Sequence, residues 1–296
     1  MKYAGSTAFS YLICIISVTA CSIIAYYFFA DKTEESWKIT GMLIGVYTGG
    51  TPNLSAIGMA LDVKEETFIL LNSGDMLISS IYLLFILSIG QRVLLKFLPS
   101  FNSKFKSKEP NNNDVEISER QTKNKFILYL IPIVLSIVVV VAGIGLSYLI
   151  AGEISVIVVI LSVTTFGIAL SFIPKIRNIK QSYDLGEYFL LIFCVAIGSL
   201  ADFQELISGS SLIFAFLVVV MISSVLLHFL LAFIFKIDAD TVIITSVAAI
   251  FSPAMIAPVA TAIKNKEIIV SGLTTGLVGY AVGNYLGIAI AYLLSS

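Results

Sequence analysis

A carboxylate in the middle of an apolar segment is the residue of this sequence most able to do chemistry. Asp75 lies in "LLNSGDMLISS", inside an apolar run at residues 67–97. At 1.5 Å per helical residue it lies about 13.5 Å from Glu66, near the centre of a hydrocarbon core about 30 Å thick. A charge at that depth is costly unless it is paired or solvated. Asp75 is therefore predicted to bind Na⁺ or carry a proton; a structural hydrogen bond to a neighbouring helix is the alternative.

Two further polar residues share the helical face of Asp75. Asn72, Asp75 and Ser79 are spaced i, i+3 and i+7, which aligns them along one side of a helix. Such a stripe in mid-membrane is predicted to face the interior of a helical bundle. Because hard cations take oxygen ligands, Asn72 and Asp75 are predicted as ligands of a Na⁺ site. No other cofactor is predicted.

A second apolar run is interrupted by residues that break helices. "GVYTGGTPNLSAIG" occupies residues 45–58. Pro52 has no backbone N–H and clashes with the preceding turn, and two glycines lower the cost of unwinding. Irregular backbone is tolerated in lipid only where protein or a water-filled cavity covers it. Freed carbonyls suit a cation, and half-helix N-termini suit an anion. A simple proline kink is the alternative. The predicted binding residues are Thr48, Gly49, Gly50, Thr51, Pro52 and Asn53.

A similar interruption occurs in the second half of the chain. With an offset of 201 residues, Pro52 aligns with Pro253 and Glu66 with Glu267. Paired interrupted segments in two halves are the best sequence indication of a transporter's binding site. Gly276 aligns with Asp75, so only the first half offers a charge. The predicted binding residues of this half are Ser252, Pro253, Thr274 and Thr275.

The composition restricts the protein to one broad class. It is 58% hydrophobic and 12% charged, so too few polar residues remain to cover a soluble protein. The long apolar runs predict an all-α polytopic membrane protein of the cell membrane. A net charge of −1 gives no basic surface for nucleic acid. The three cysteines form no CxxC pair, and no catalytic motif is present, so neither a metal cluster nor an enzyme is predicted.

Nine apolar segments are predicted to form the helices. They are residues 8–30, 38–60, 67–97, 126–150, 154–173, 186–201, 211–235, 241–263 and 268–294. The polar stretch at 98–125 is predicted to be a flexible cytoplasmic loop, because it is rich in Lys and Asn. Alternation from that loop places fourteen of the 18 Lys and Arg residues inside. Lys2, Lys64, Lys264 and Lys266 are placed outside.

The segments divide into two similar units with a different group between them. Residues 7–97 and 208–296 are predicted as core repeat units of helix, broken helix and helix, and residues 126–207 as panel-type helices. The offset places the counterparts of the panel helices before Met1, so N-terminal helices are expected to be lacking. Six helix steps between the units give parallel repeats, whereas inverted repeats need an odd number. A partial crossing would restore inversion, and the shortest segment, 186–201, is the first candidate.

Two features are assigned mainly to packing. His228, the only histidine, is predicted to be a hydrogen-bonded packing residue, with a proton relay as the alternative. The last segment carries glycines at GxxxG spacings, which permit helices to approach closely within one protomer. A homodimer contact is the alternative use. These glycines are Gly272, Gly276, Gly279, Gly283 and Gly287.

The interrupted segment and its downstream acid carry a family resemblance. "GVYTGGTPNLSAIGMAL" with "NSGDM", and later "GEYFLLIFCVAIGSLADF" and "GLVGYAVGNYLG", resemble the YjcL-like family of uncharacterised integral membrane proteins. That family is similar in organisation to the bile acid:sodium symporter and cation/proton antiporter superfamily. The resemblance implies a core with two crossed, broken helices, a panel domain, and ion and substrate sites at the breaks. The segment "AAIFSPAMIAP" departs from it, because no paired glycines precede its proline.

These observations predict an ion-coupled secondary transporter. It would move a small, anionic solute with Na⁺ or H⁺ by alternating access, surrounded by membrane lipid. An uncoupled channel or facilitator would use the same cavity without coupling, and a membrane sensor or scaffold would need no ion site. The substrate is not fixed by the sequence.

Overall fold

The computed structural model describes residues 4–33, 35–102, 125–179, 211–251 and 253–295, and nine residues between 181 and 196. All regular structure in these parts is helical. Residues 103–124, most of the segment predicted at 186–201, and Ser252 lie outside the described residues.

Ten helices of seven residues or more build the described chain. α4 continues through a π-helical turn (Ile86–Gly90) into Gln91–Leu94, and a 3₁₀ turn (Pro253–Met255) precedes α9. Five of the described helices are long and apolar enough to span a membrane: α1, α4, α5, α7 and α10. The protein is therefore an all-α, multi-pass membrane protein, as predicted. The helices are α1 (Ala4–Phe29), α2 (Ser36–Gly49), α3 (Thr51–Ala60), α4 (Glu65–Phe85), α5 (Lys125–Ala151), α6 (Val156–Ser171), α7 (Ser211–Ile234), α8 (Ala239–Ile250), α9 (Ile256–Ala262) and α10 (Ile269–Ser295).

The first interrupted segment folds back on itself as hairpin 1, formed by α2 and α3. Gly50, with φ 87° and ψ −174°, separates the two arms in a conformation that favours glycine. At the open end, Lys38 Nζ donates to the carbonyl oxygen of Asp62 at 2.6 Å and to the Glu35 carboxylate at 3.0 Å. The backbone N–H of Lys64 donates to the same carboxylate at 3.3 Å. Residues 35 and 64 therefore lie at the same face of the bundle.

The second interrupted segment also folds back, as hairpin 2, formed by α8 and α9. The side-chain amide of Asn265, after α9, donates to Asp240 Oδ2, at the start of α8, at 2.8 Å. Gln91, at the end of α4, donates from Nε2 to Asp240 Oδ1 at 2.7 Å and to the carbonyl oxygen of Ile263 at 3.2 Å. Both ends of hairpin 2 thus lie beside the C-terminal end of α4.

The hairpins open on opposite faces of the bundle. Hairpin 1 connects the end of α1 to the start of α4. The start of α1 lies beside the start of α10, where Thr7 Oγ1 bonds Ser271 Oγ at 3.2 Å. The end of α1 lies beside the end of α10, where Tyr26 donates to the carbonyl oxygen of Leu294 at 2.9 Å. Because α4 runs from the open end of hairpin 1 to that of hairpin 2, its length separates the two faces.

The prediction that residues 38–60 and 241–263 cross the membrane is wrong. Each segment is long enough to span, so length and composition favoured a crossing. The chain reverses at Gly50 in the first segment, and the second segment returns to its starting face because Asn265, after α9, bonds Asp240 at the start of α8. The resemblance had implied two crossed, broken helices; the described residues form two re-entrant hairpins in their place.

The hairpins also change the predicted distribution of positive charge. Lys32 and Lys38 lie with Lys64 at the open end of hairpin 1, which we call the outer face. Lys264 and Lys266, predicted outside, lie at the open end of hairpin 2 with the residues that lead into the lysine-rich loop. A backbone bond from Ala239 to Pro99 O, at 3.0 Å, joins these parts. By the positive-inside rule this second face is predicted to be cytoplasmic.

The glycines of α10 let it pack tightly against both hairpins. A Cβ on Gly41 of hairpin 1 would lie 2.7 Å from the carbonyl oxygen of Gly287, and one on Gly49 would lie 2.6 Å from that of Gly279. A Cβ on Gly276 would lie 2.9 Å from Pro253 Cγ of hairpin 2. The predicted use of these glycines in packing within the protomer is confirmed at these positions.

Candidate functional site

The inner arms of the two hairpins meet in the interior of the bundle. Tyr47 of α2 and Ser246 and Ile250 of α8 line one small cavity, together with Cys14 of α1 and His228 of α7. With 14 residues, α2 is about 21 Å long, which is long enough to reach the middle of a hydrocarbon core about 30 Å thick but too short to cross it. We call this meeting place the junction.

The break in hairpin 1 leaves a backbone acceptor that α1 satisfies. In an unbroken helix the carbonyl of Thr48 would accept from the N–H of residue 52, but Pro52 has none. The hydroxyl of Tyr11 donates to this carbonyl oxygen from α1. The hydroxyl of Thr48 is buried and has no hydrogen-bond partner among the described residues. Thr48 therefore has a carbonyl oxygen that is hydrogen-bonded and a hydroxyl oxygen that has no partner among the described residues.

The polar stripe of α4 is buried in the bundle. Asn72, Asp75 and Ser79 are 1%, 3% and 6% exposed, so Asp75 does not face lipid. Ser79 donates from its hydroxyl to Asp75 Oδ1 at 2.9 Å. Asn72 Oδ1 has no partner among the described residues, which makes it a buried acceptor one helical turn from the carboxylate.

The face of α4 that carries Asp75 contacts both hairpins. The Tyr47 hydroxyl of hairpin 1 is close enough to Asp75 to interact with it, although it lacks a partner at strict hydrogen-bond geometry. Two turns further along α4, the Tyr82 hydroxyl is hydrogen-bonded to Ser246 Oγ of hairpin 2 at 2.9 Å. The Tyr82 ring stacks on Phe251, with centroids 6.1 Å apart. Asp75 therefore lies beside Tyr47 of hairpin 1, and the same face of α4 contacts hairpin 2 through Tyr82.

Three tyrosines near the site, Tyr11, Tyr47 and Tyr82, are not among the residues predicted from the sequence. Tyr82 continues the stripe, seven residues after Asp75, so its spacing could have identified it. Tyr47 directly precedes Thr48 in the interrupted segment. Tyr11 lies in α1, far from both motifs in sequence, and only the packing of α1 against α2 brings it to Thr48.

The other predicted residues of hairpin 1 have separate roles in the fold. Asn53 is buried and donates from Nδ2 to the carbonyl oxygen of Gly279 in α10 at 3.0 Å, which fixes the start of α3. Thr51 and Pro52 are half-buried at the tip. Gly49 lies against Gly279, and Gly50 supplies the reversal.

The predicted residues of the second half contribute less to the junction. Pro253 packs on Gly276 at the tip of hairpin 2. Thr275 is buried but donates to Gly272 O of its own helix at 2.7 Å. Thr274 is exposed and donates to Val270 O at 2.9 Å. Both threonines line a groove between α1 and α10, and no contact brings Thr274 to Asp75 in the described parts.

His228 joins three helices in the interior. Its Nε2 lies 3.3 Å from Ser10 Oγ of α1, which is hydrogen-bonded to Thr245 Oγ1 of α8 at 2.8 Å. The predicted packing role fits these contacts. Among the described residues no group of three or more His, Cys, Asp or Glu side chains could hold a metal ion. A Na⁺ site at Asn72 and Asp75 stays a prediction, which the unpaired Asn72 oxygen fits.

Comparison with known proteins places this architecture in a family. A family profile described as "Protein of unknown function (DUF819)" matches residues 1–296. The chain belongs to the DUF819 family. It is similar to the uncharacterized membrane protein YjcL of Bacillus subtilis (strain 168), with 22% identity over 299 residues, covering 97% of this chain and 75% of that relative. No solved structure matches the chain. Membership in DUF819 agrees with the multi-pass membrane fold.

Proposed function

We propose that this DUF819 protein is a secondary transporter that moves a small anionic solute by alternating access, coupled to Na⁺ or H⁺. The observation that carries the proposal is the burial of Asp75 on the face of α4 that contacts both re-entrant hairpins, which open on opposite faces. A buried carboxylate in mid-membrane indicates an ion pathway by default. Irregular backbone at that depth is tolerated where it lines a binding cavity.

The two units are proposed to be inverted repeats. α1 runs from the cytoplasmic to the outer face before hairpin 1, and α7 ends at the cytoplasmic face before hairpin 2. Because hairpin 1 does not cross, the six steps predicted from the sequence, including the segment at 186–201, fall to five, which is the odd number that inversion requires. Inverted units whose interrupted segments meet at the midplane support alternating access around one site.

The junction can serve a cation and an anion together. Asp75, the Asn72 oxygen and the Thr48 hydroxyl are buried oxygens of the kind that Na⁺ takes. A proton on Asp75 is the other way to neutralise its charge. α3 begins at the tip of hairpin 1, and a helix N-terminus favours an anion. We also include in this proposal that the fold is similar in organisation to the bile acid:sodium symporter and cation/proton antiporter superfamily.

The test uses the full chain in proteoliposomes. Thermal unfolding is first screened against Na⁺, pH and small organic anions, because a ligand at 100 times its dissociation constant stabilises the protein by about 2.7 kcal/mol. Uptake of the best anion is then driven by a Na⁺ or pH gradient. Asp75→Asn is expected to abolish gradient-driven uptake while its chromatographic profile and unfolding transition are retained.

The matched control is Ser80→Ala, which removes an exposed hydroxyl that bonds Met76 O of its own helix at 2.6 Å. It is expected to transport normally. Full uptake by Asp75→Asn would remove the carboxylate from the mechanism. Sustained currents independent of a gradient would indicate the channel, and unfolding unaffected by every ion and solute would indicate the sensor or scaffold.

A further inference from the structure

The outer arms of the two hairpins are held to the bundle to different extents. In α3 of hairpin 1, Met59 is the one exposed residue. Asn53 bonds α10, and Ile57 packs against Gly45 and Gly287. In α9 of hairpin 2, four of the seven residues are exposed: Ala257, Pro258, Thr261 and Ala262. Hairpin 1 is therefore clamped along its length, whereas α9 is covered on one side only.

The inner arm of hairpin 2 is fixed at its start. All twelve residues of α8 are buried. The backbone of Ala239 bonds Pro99 O at 3.0 Å. Asp238 caps α8 by accepting from the backbone N–H and the hydroxyl of Thr241, both at 2.8 Å. Any movement of hairpin 2 is therefore expected in α9 and not in α8.

The cytoplasmic end of α9 is held by one small polar cluster. Gln91 Nε2 donates to both Asp240 and the carbonyl oxygen of Ile263, so a single amide joins α4 to the start of α8 and the end of α9. Asn265 adds its bond to Asp240. Gln91 directly follows the π-helical turn of α4, and such turns are frequent at functional sites.

Space for movement lies beside this cluster. A cavity of about 260 Å³ opens at the cytoplasmic face, lined in part by Gln91, Asp240, Lys264 and Asn265. At the other end of the arm, Pro253 and Phe251 cover Gly276 and Tyr82. Movement of α9 away from α10 would therefore uncover the side of the junction that faces the cytoplasm.

We propose that α9 is the cytoplasmic gate of the junction and that Gln91 is the positioning residue that holds the gate closed. The proposal rests on the proposed function, in which the junction must open to each face in turn. It goes further by stating that α9 is the element that moves and that the Gln91 side chain controls this movement. Hairpin 1 then stays with α10 as the fixed part of the site.

The test is the reactivity of single cysteines towards a membrane-impermeant maleimide applied to both faces of the membrane, because position 260 lies towards the cytoplasmic face and position 60 towards the outer face. The native Cys14, Cys21 and Cys194 are replaced by Ala. Ala260→Cys places the probe on the buried side of α9, and Ala60→Cys places a matched probe at the buried end of α3. Gln91→Ala removes the bond to the carbonyl oxygen of Ile263, at the end of α9, together with the bond to Asp240, at the start of α8. It is expected to raise the labelling rate at position 260 by about tenfold or more and leave position 60 unchanged.

A reciprocal exchange separates the bond to α9 from the bond to α8. Gln91→Glu sets two carboxylates against each other, removes the donor to the carbonyl oxygen of Ile263, and is expected to raise labelling at position 260. Gln91→Glu with Asp240→Asn restores the bond to α8 with its direction reversed but not the bond to Ile263, so labelling at position 260 is expected to stay raised. Equal increases at positions 60 and 260, no increase at 260, or full rescue by the exchange would overturn the latch. Labelling needs no transported solute, so it can succeed or fail independently of the uptake assay.

Discussion

The hydroxyl of Tyr11 donates a hydrogen bond to the carbonyl oxygen of Thr48, the acceptor that Pro52 leaves without its helical donor. This contact ties the first transmembrane helix to the break in hairpin 1. It explains how the bundle accommodates an interrupted helix in lipid, where an unpaired carbonyl is costly. A residue outside both sequence motifs thereby becomes part of the junction.

Removal of this hydroxyl is expected to destabilise the protein. Tyr11→Phe leaves a buried carbonyl unpaired, which costs about 1–3 kcal/mol. Tyr26→Phe is the matched control, because its hydroxyl also bonds a backbone carbonyl, at 2.9 Å, but at Leu294 near the end of α10. Denaturant-induced unfolding in detergent measures both. Equal losses in the two variants would contradict a special role for the Tyr11 contact.

The close approach of α10 to hairpin 1 gives a second expected effect on stability. A Cβ at Gly279 would overlap the Tyr11 hydroxyl and the Thr48 carbonyl, so Gly279→Ala is expected to cost about 1–3 kcal/mol. Gly167→Ala in α6 is the control, since nothing lies within 4 Å of its added Cβ. The control is expected to be neutral, or stabilising by up to about 1 kcal/mol, because alanine favours helix. A harmless Gly279→Ala would show that the helices do not pack as described.

The hairpins predict which residues share a face of the membrane. Cysteines at Lys32 and Lys64 are expected to react with an impermeant reagent from the outer face, and cysteines at Lys96 and Lys264 from the cytoplasmic face. A crossing at residues 38–60 would place positions 32 and 64 on opposite faces. Sided labelling of single-cysteine variants in oriented vesicles measures this. Labelling of 32 and 64 from different faces would contradict hairpin 1.

Much of the site could be predicted from local sequence. The position of Asp75 within its apolar run predicts its depth, and its spacing from Asn72 and Ser79 predicted the shared face that the bundle buries. Pro52 and Pro253 marked the interruptions, because proline lacks the donor that a helix needs. These features depend on residue type and helical period, which the sequence contains directly.

The reversal of the chain could not be predicted in the same way. A crossing helix and a re-entrant hairpin have the same apolar composition, and the difference lies in one backbone conformation at Gly50. The contacts that close hairpin 1, between Glu35 and Lys64, join residues distant in sequence. If the units are inverted repeats, as proposed, this error in crossing number accounts for the conflict over repeat direction; residues 186–201, the first candidate from the sequence, lie mostly outside the described residues.

The direction of individual side chains was the other feature that could not be predicted from the sequence. Thr274 and Thr275 are adjacent and similar, yet one is exposed and the other buried, because neighbouring helical residues point about 100° apart. The exact phase of α10 is set by its glycines against the hairpins. Contacts of that kind decide which threonine is buried.

The most direct test of the account is the accessibility of the hairpin tip from each face. Thr51→Cys, in the cysteine-free background, is labelled in oriented vesicles from the outer or the cytoplasmic side across a series of Na⁺ concentrations and pH values. The ratio of outer to cytoplasmic labelling is expected to change with the concentration of the coupling ion, and Asp75→Asn is expected to abolish this change. Labelling from one face under every condition, or an ion-dependent ratio that survives Asp75→Asn, would contradict it.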